Sequence, residues 1–205
     1  MSYQRLGDKV AGWWVDTELL NPNSIVYSFG LGVNITFELA LIEARACAIH
    51  GFDPTPGEVQ KYLSLHKNPL LTVHLVGLAA EDRIATFTPL HPDWATFTEF
   101  SEFVREKCDV SAQVQLKSLK TVMRELKHDR IDLLKMDIEG AEYEVIHSVF
   151  GEYTKPTIGQ ILVEWHGDNP ENAAKRAACE DILQKAGFIL EENEDINSSY
   201  KRKSQ

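Results

Sequence analysis

The stretch Ile131-Asp132-Leu133-Leu134-Lys135-Met136-Asp137-Ile138-Glu139-Gly140-Ala141-Glu142-Tyr143-Glu144-Val145-Ile146 decides how this chain folds. Ile131 to Met136 is short and apolar apart from Asp132 and Lys135, the pattern of a strand covered on both faces. Ala141, Val145 and Ile146 then recur at helical spacing, and Gly140 marks the turn between strand and helix. In open α/β sheets ligands sit outside the carboxyl ends of strands. Asp137 and Glu139 therefore fall where chemistry is done.

The same strand–turn–helix unit recurs on either side. Ile25–Phe29 reads as a strand, followed by Gly30-Leu31-Gly32-Val33-Asn34 and a helix carrying Ile35, Leu39, Ile42 and Ala46. Glycines let backbone N–H groups approach a ligand at a helix N-terminus, and Asn34 tolerates the left-handed conformation. Ile35 stands where the dinucleotide fingerprint needs its third glycine, and no Gly-Lys-Ser/Thr follows to make a phosphate-binding P-loop. The next strand, Ala48–Phe52, ends at Asp53, about 20 residues past Gly30, where nucleoside-binding folds hold ribose hydroxyls. Thr55 and Glu58 are spaced as a capping box, with Pro56 at the first helical position.

Leu70–Val76 is a third strand running into Gly77-Leu78, and His74 within it reads as a core histidine. Ile84–Phe87 reads as an extra edge strand. Residues 88–109, with Trp94, Phe97, Phe100 and Phe103, are expected to cover the sheet or the pocket. Gln113–Leu116 is weakly strand-like, and Leu119, Val122, Met123 and Leu126 mark a helix. After the opening stretch, Ile158–Val163 forms a strand that ends in Glu164-Trp165-His166. Glu164 and His166 lie on the same side of an extended chain, where a carboxylate orients an imidazole. A helix over 170–185, a Gly187 stop and a strand at Phe188–Leu190 close the domain.

Strands alternating with helices predict an α/β fold: one open, mostly parallel sheet with helices on both faces, in a single domain. Residues 1–24 are expected as an N-terminal cap, 25–190 as the α/β domain and 191–205 as a polar, flexible tail. The 205 residues, 43% hydrophobic and 25% charged, suit one globular core. A net charge of −10, from 21 basic and 31 acidic residues, works against a sequence-independent grip on nucleic acid. Cys47, Cys108 and Cys179 suggest neither a disulfide framework nor a zinc site. Met1–Lys9 lacks the apolar core of a signal peptide and no apolar run reaches membrane-spanning length, so the expectation is a cytoplasmic chain without membrane or nucleic-acid partners.

Together these strand ends resemble the S-adenosylmethionine-dependent methyltransferases with a class I, Rossmann-like fold, and more narrowly the FkbM-type family. Lys135-Met136-Asp137-Ile138-Glu139-Gly140-Ala141-Glu142 resembles that family's K-[IM]-D-[IV]-E-G-x-E signature. Phe52-Asp53-Pro54-Thr55-Pro56 and Gln160–His166 are similar to its second- and fifth-strand endings. The resemblance spans Ile25 to Leu190. It implies that the turn Ser28, Gly30, Gly32 and Asn34 cradles the methionine end of S-adenosyl-L-methionine. It further implies that Asp53, with Pro54, holds the ribose, that Gly77 and Leu78 border the adenine, and that Asp137 stands beside the sulfonium. Ser28 stands where these enzymes usually place an acid, which weakens an expected contact to the cofactor's amino group. Asn34 replaces the last glycine of the turn, and no apolar seventh strand follows Leu190.

The implied activity is O-methylation of a small-molecule or sugar-type hydroxyl, which needs alignment, water exclusion and a proton acceptor but no metal. Asp137 or His166 is expected to take the proton, with Glu139 and Glu164 orienting neighbours. Glu139 also fits a plain helix-start acid, and Lys135 a structural ion pair. The alternative is a cofactor-binding scaffold of the same fold without turnover. A dinucleotide-dependent oxidoreductase is disfavoured by the missing third glycine.

Overall fold

The computed structural model describes residues 3–55, 57–89, 100–101, 111–151, 156–167 and 169–203. In chain order, β1 (Tyr3–Leu6) and β2 (Trp13–Asp16) form an antiparallel hairpin. They are followed by β3 (Val26–Phe29), α1 (Thr36–Arg45), β4 (Ile49–Phe52), α2 (Glu58–Leu65) and β5 (Leu71–His74). Four short strands, β6 (Gly77–Leu78), β7 (Arg83–Pro89), β8 (Phe100–Ser101) and β9 (Ala112–Lys117), precede α3 (Leu119–Leu126). The chain closes with β10 (Arg130–Met136), α4 (Glu142–Gly151), β11 (Thr157–Glu164), α5 (Pro170–Lys185), β12 (Phe188–Glu194) and β13 (Asn197–Arg202).

Seven strands make the central sheet, in the order β12-β13-β11-β10-β3-β4-β5. β11, β10, β3, β4 and β5 are mutually parallel, and β13 runs antiparallel between β11 and β12. The order reverses between β3 and β10, so their carboxyl ends flank a crevice of the kind that holds ligands in open sheets. Side chains alternate across the sheet. Val26, Leu133 and Leu162 face Phe37 and Leu41 of α1 and Trp13 and Val15 of the hairpin. Tyr27, Phe29, Leu134, Met136 and Ile161 face α3, α4 and α5 through Val122, Val145, Ile146 and Leu183. Covering both faces favours the largely apolar runs seen in β3 and β10, interrupted by Ser28, Asp132 and Lys135.

Several sequence expectations are corrected. The polar stretch from Glu191 is not a tail but the end of β12 and the whole of β13, which supplies the seventh strand. Hydropathy hides it because β13 is held by its ladder and by its hydroxyls. Trp165 Nε1 donates to Ser198 Oγ at 3.0 Å, and Ser199 Oγ donates to the Trp14 carbonyl at 2.7 Å. The Thr55–Glu58 capping box is absent: the N-cap of α2 is Gly57, at φ 74°, with no side-chain cap. Of the positions read as the helical stripe, Ile35 and Ile42 are buried, but Leu39 is half-buried and Ala46 exposed; the buried residues of α1 are Phe37, Glu38, Leu41 and Ile42. Gly77-Leu78 and Ile84–Phe87 belong to a separate four-stranded sheet, ordered β6-β9-β7-β8. The cover expected over 88–109 lies outside the described residues except for 88–89 and the short strand β8.

His74 is half-buried rather than in the core, with partners that sequence spacing does not reveal. Its Nε2 lies 3.1 Å from His50 Nδ1 on the adjacent strand, and the two rings stack. His128 packs edge-on against His50 and meets the Tyr27 hydroxyl at 2.8 Å. Burial, with the charges of His74 and His128 adding, lowers His50 from 6.5 to about 4, and burial also lowers His74 and His128. The folded state thus favours neutral rings, while the unfolded chain takes up protons from about pH 6.5 downward. Stability should therefore be insensitive to His50 above about pH 6.5 and fall as pH drops from there toward about 4, by at most about 3 kcal/mol. Urea unfolding across this range should show the decline, and His50→Gln should flatten it.

Candidate functional site

A cavity of about 450 Å³ opens outside the carboxyl ends of β3, β4, β10 and β11. Its floor begins with the glycine turn. Gly30 and Gly32 have φ of 78° and 54°, conformations that side-chain-bearing residues adopt at a cost. A Cβ on Gly30 would fall 1.7 Å from the Asp137 carbonyl oxygen, so only glycine lets the ends of β3 and β10 meet. Lys135, itself 4% exposed, donates from Nζ to the Gly30 carbonyl at 2.7 Å. Asn34 is not left-handed as expected. Its Oδ1 accepts from the Thr36 backbone at 3.2 Å, and its Nδ2 donates to Asp8 Oδ2 at 2.9 Å, tying the turn to the β1–β2 loop. That loop brings Val10 and Ala11 to the cavity wall.

Asp53 ends β4 at 4% exposure. Its Oδ2 accepts from Gly32 N–H and its Oδ1 from Thr55 N–H, both at 2.8 Å. Burial pushes this carboxyl up, and the backbone donors pull it back. Each oxygen keeps further lone pairs for a ligand hydroxyl. Pro54, Gly77 and Leu78 line the same cavity, joined by Phe87 and Leu116 from the small sheet. Gly77 is needed there because a Cβ would meet Leu116 Cδ2 at 2.6 Å and Pro54 Cγ at 2.9 Å.

The opposite rim carries the charges. His166 Nε2 lies 3.3 Å from Glu139, 3.7 Å from Asp137 and 3.7 Å from Glu164. Glu164 is therefore near the imidazole, as the sequence suggested, but it is not what orients the ring. Glu142, fully buried, accepts from the His166 backbone N–H at 2.8 Å and faces Nδ1 at 3.3 Å. Its other oxygen accepts from Gly140 N–H at 3.0 Å. Burial by itself would lower the His166 pKa, but the Glu142 hydrogen bond and the charges of Glu142, Glu139 and Asp137 raise it to about 10. That shift favours the imidazolium form at neutral pH. Burial and the Asp137 charge raise Glu164 to about 7, against the pull of His166 and Lys135.

Glu139 does not start α4. It sits in the preceding turn at φ 55°, a left-handed backbone that is unfavourable for a side-chain-bearing residue. The first-turn acids are Glu142 and Glu144. Donor atoms of Asp137, Glu139 and His166 lie within 4.8 Å of one another, close enough to share a cation, although His166 would first have to lose its proton. Lys135 is indeed an ion-pair residue, 3.6 Å from Asp137. Besides the apolar wall residues Val10, Ala11, Phe87 and Leu116, two acids of the site escaped the sequence, Glu142 and Glu38. The signal for Glu38 was an acid on the buried stripe of α1, and for Glu142 only its place within the K-M-D-I-E-G-A-E run.

The methyltransferase FkbM domain family matches residues 26–190. The human protein described as probable methyltransferase-like protein 24 is 27% identical over 150 residues, covering 73% of this chain and 34% of its own length. Methyltransferase sdnD of Sordaria araneosa is 36% identical over 89 residues, 40% of this chain and 32% of its own length. This chain thus spans about a third of the length of these curated relatives. Among solved structures, the Methanococcus jannaschii fibrillarin pre-rRNA processing protein aligns with a TM-score of 0.46 at 10% identity, over 90% of this chain and 69% of that one.

If Glu142 sustains the imidazolium, Glu142→Gln should lower the His166 pKa by about 1 to 3 units while keeping an acceptor for its backbone N–H. Titration of the ring resonances by NMR reads this directly. An unmoved His166 would mean that Glu139 and Asp137 suffice.

Proposed function

Because this chain belongs to the FkbM methyltransferase family, we propose that it transfers the methyl group of S-adenosylmethionine to a hydroxyl of a small-molecule or sugar-type acceptor. The observation that carries this is the convergence of the glycine turn, Asp53 and Asp137 on one cavity. A Cβ on Gly32 would meet nothing within 4 Å, so this backbone leaves open space beside the Gly32 N–H held by Asp53. The cavity volume of about 450 Å³ lies in the usual range for small-molecule and cofactor sites. These features fit the cofactor. The turn from Ser28 to Asn34 would hold its methionine end, Asp53 and Pro54 its ribose, and Gly77 and Leu78 its adenine edge. When bound, S-adenosylmethionine supplies a methyl carbon already activated by positive sulfur.

The protein's part is alignment and proton handling. His166 was one of two expected proton acceptors, but an imidazolium has no lone pair to offer. In this reading Asp137 takes the proton of the acceptor hydroxyl, and His166 holds Asp137, Glu139 and Glu164 together by charge. Lys135, beneath Asp137 and over the Trp13 ring at 5.4 Å, fixes the carboxylate from the other side. The two departures from the family pattern do not favour a scaffold without turnover: β13 supplies a strand after Leu190, and the Glu38 carboxylate lies beside Ser28.

Calorimetry with S-adenosylmethionine and S-adenosylhomocysteine, paired with label transfer from methyl-labelled cofactor to a panel of sugars and small hydroxylated compounds, tests the proposal. The wild-type chain should bind both and methylate a member of the panel. Asp137→Asn should cut turnover by about a hundredfold or more while leaving S-adenosylhomocysteine binding within about tenfold. Absence of cofactor binding by the wild type, or undiminished turnover in Asp137→Asn, would overturn it.

A further inference from the structure

Glu38 is the most deeply buried acid on the cavity wall, and none of the motifs accounts for it. It lies in the first turn of α1, between the buried Phe37 and Leu41, and is 1% exposed. Ser28 Oγ, at 0% exposure in the middle of β3, donates to Glu38 Oε1 at 2.6 Å, the short distance of a hydroxyl bonded to a carboxylate. Among the described residues no other hydrogen bond and no ion pair reaches Glu38. Lys135, a buried cation on the cavity wall, is engaged by the Gly30 carbonyl and Asp137.

A buried carboxylate without a counter-charge is strongly unfavourable. The positive end of the α1 dipole and the Ser28 hydroxyl each relieve part of that cost. Neither brings a full positive charge. The cavity beside Glu38 is where such a charge can be delivered. Moreover, Ser28 occupies the strand position at which an acid is expected, and its hydroxyl points to an acid ten residues later in the sequence.

Resting on the proposed S-adenosylmethionine site, we propose that Glu38 receives the α-ammonium group of the cofactor's methionine moiety and that Ser28 is its positioning residue. This makes the pocket selective for adenosyl ligands that carry an amino acid. The charge introduced by the ammonium completes an ion pair that the empty protein lacks, so the carboxylate is arranged before the ligand arrives.

Calorimetry on the full chain compares S-adenosylhomocysteine with 5′-methylthioadenosine, which keeps the adenosine and sulfur but has no amino acid. Wild-type chain should bind both, which tests the cofactor reading by itself. Glu38→Gln should weaken S-adenosylhomocysteine by about tenfold or more and leave 5′-methylthioadenosine within about twofold, because loss of one charge-assisted contact affects only the ligand that makes it. Ser28→Ala should weaken S-adenosylhomocysteine by a smaller factor with the same selectivity. Equal effects on both ligands, or none on either, would overturn the role of Glu38 while leaving the cofactor site standing. Wild type that binds neither ligand would overturn both. A second comparison needs no variant: deaminated S-adenosylhomocysteine, with the ammonium replaced by hydrogen, should bind wild type about tenfold more weakly than the parent, and equal affinity would refute the assignment.

Discussion

The close approach of β3 and β10 at their carboxyl ends is the constraint on which the rest of the molecule depends. A Cβ on Gly30 would sit 1.7 Å from the Asp137 carbonyl oxygen, so the two strand ends can meet only across a glycine. Their meeting bonds Asp137 N–H to the Phe29 carbonyl at 3.1 Å and brings Lys135 Nζ onto the Gly30 carbonyl. The chain then departs in opposite directions, to β4 and β5 on one side and to β11 on the other. The crevice between the departing loops is the cavity, and every candidate site residue is placed by its distance from this junction.

Two buried glutamates hold the loops that leave it. Glu38 and Glu142 both lie in the first turn of a helix, α1 and α4, and both are almost wholly excluded from solvent. The partial positive charge of a helix N-terminus favours an acid there. Each then reaches across to a strand or strand end: Glu38 to Ser28 on β3, Glu142 to His166 beyond β11. They differ in counter-charge. Glu142 faces an imidazolium that it sustains, so its burial is compensated within the protein. Glu38 has the Ser28 hydroxyl and the positive end of the α1 dipole, neither of them a full charge.

The outer elements adapt the site without adding to its charge. The β1–β2 hairpin docks through Gln160, a buried amide that accepts from Asp16 N–H at 2.9 Å and donates to the Asp16 carbonyl at 3.1 Å, as a neighbouring strand would. Its loop is pinned to the glycine turn by Asp8 and Asn34. The small sheet brings Leu78, Phe87 and Leu116 to the far wall. None of the helices among the described residues is long and apolar enough to cross a membrane.

Local pattern was enough for the alternating strands and helices of the parallel sheet, for the glycine turn and for the acids at strand ends, because a doubly covered strand is mostly apolar and this turn needs glycine; the β1–β2 hairpin was not read as strands. Ile131–Met136, Gly30 and Asp53 were legible for that reason. β13 was not, since its stability comes from ladder bonds and satisfied hydroxyls that hydropathy does not register. Nor could spacing along the chain bring His50 to His74, which meet across adjacent strands. The same limit separates Ser28 from its acid. By itself the sequence determined which strand ends line the cavity. Only the tertiary structure decided that Glu142 rather than Glu164 orients His166, that this ring carries a proton, and that Glu38 stands behind Ser28. Those are matters of burial and charge summed over side chains from different elements, and such sums exist only once the chain is folded.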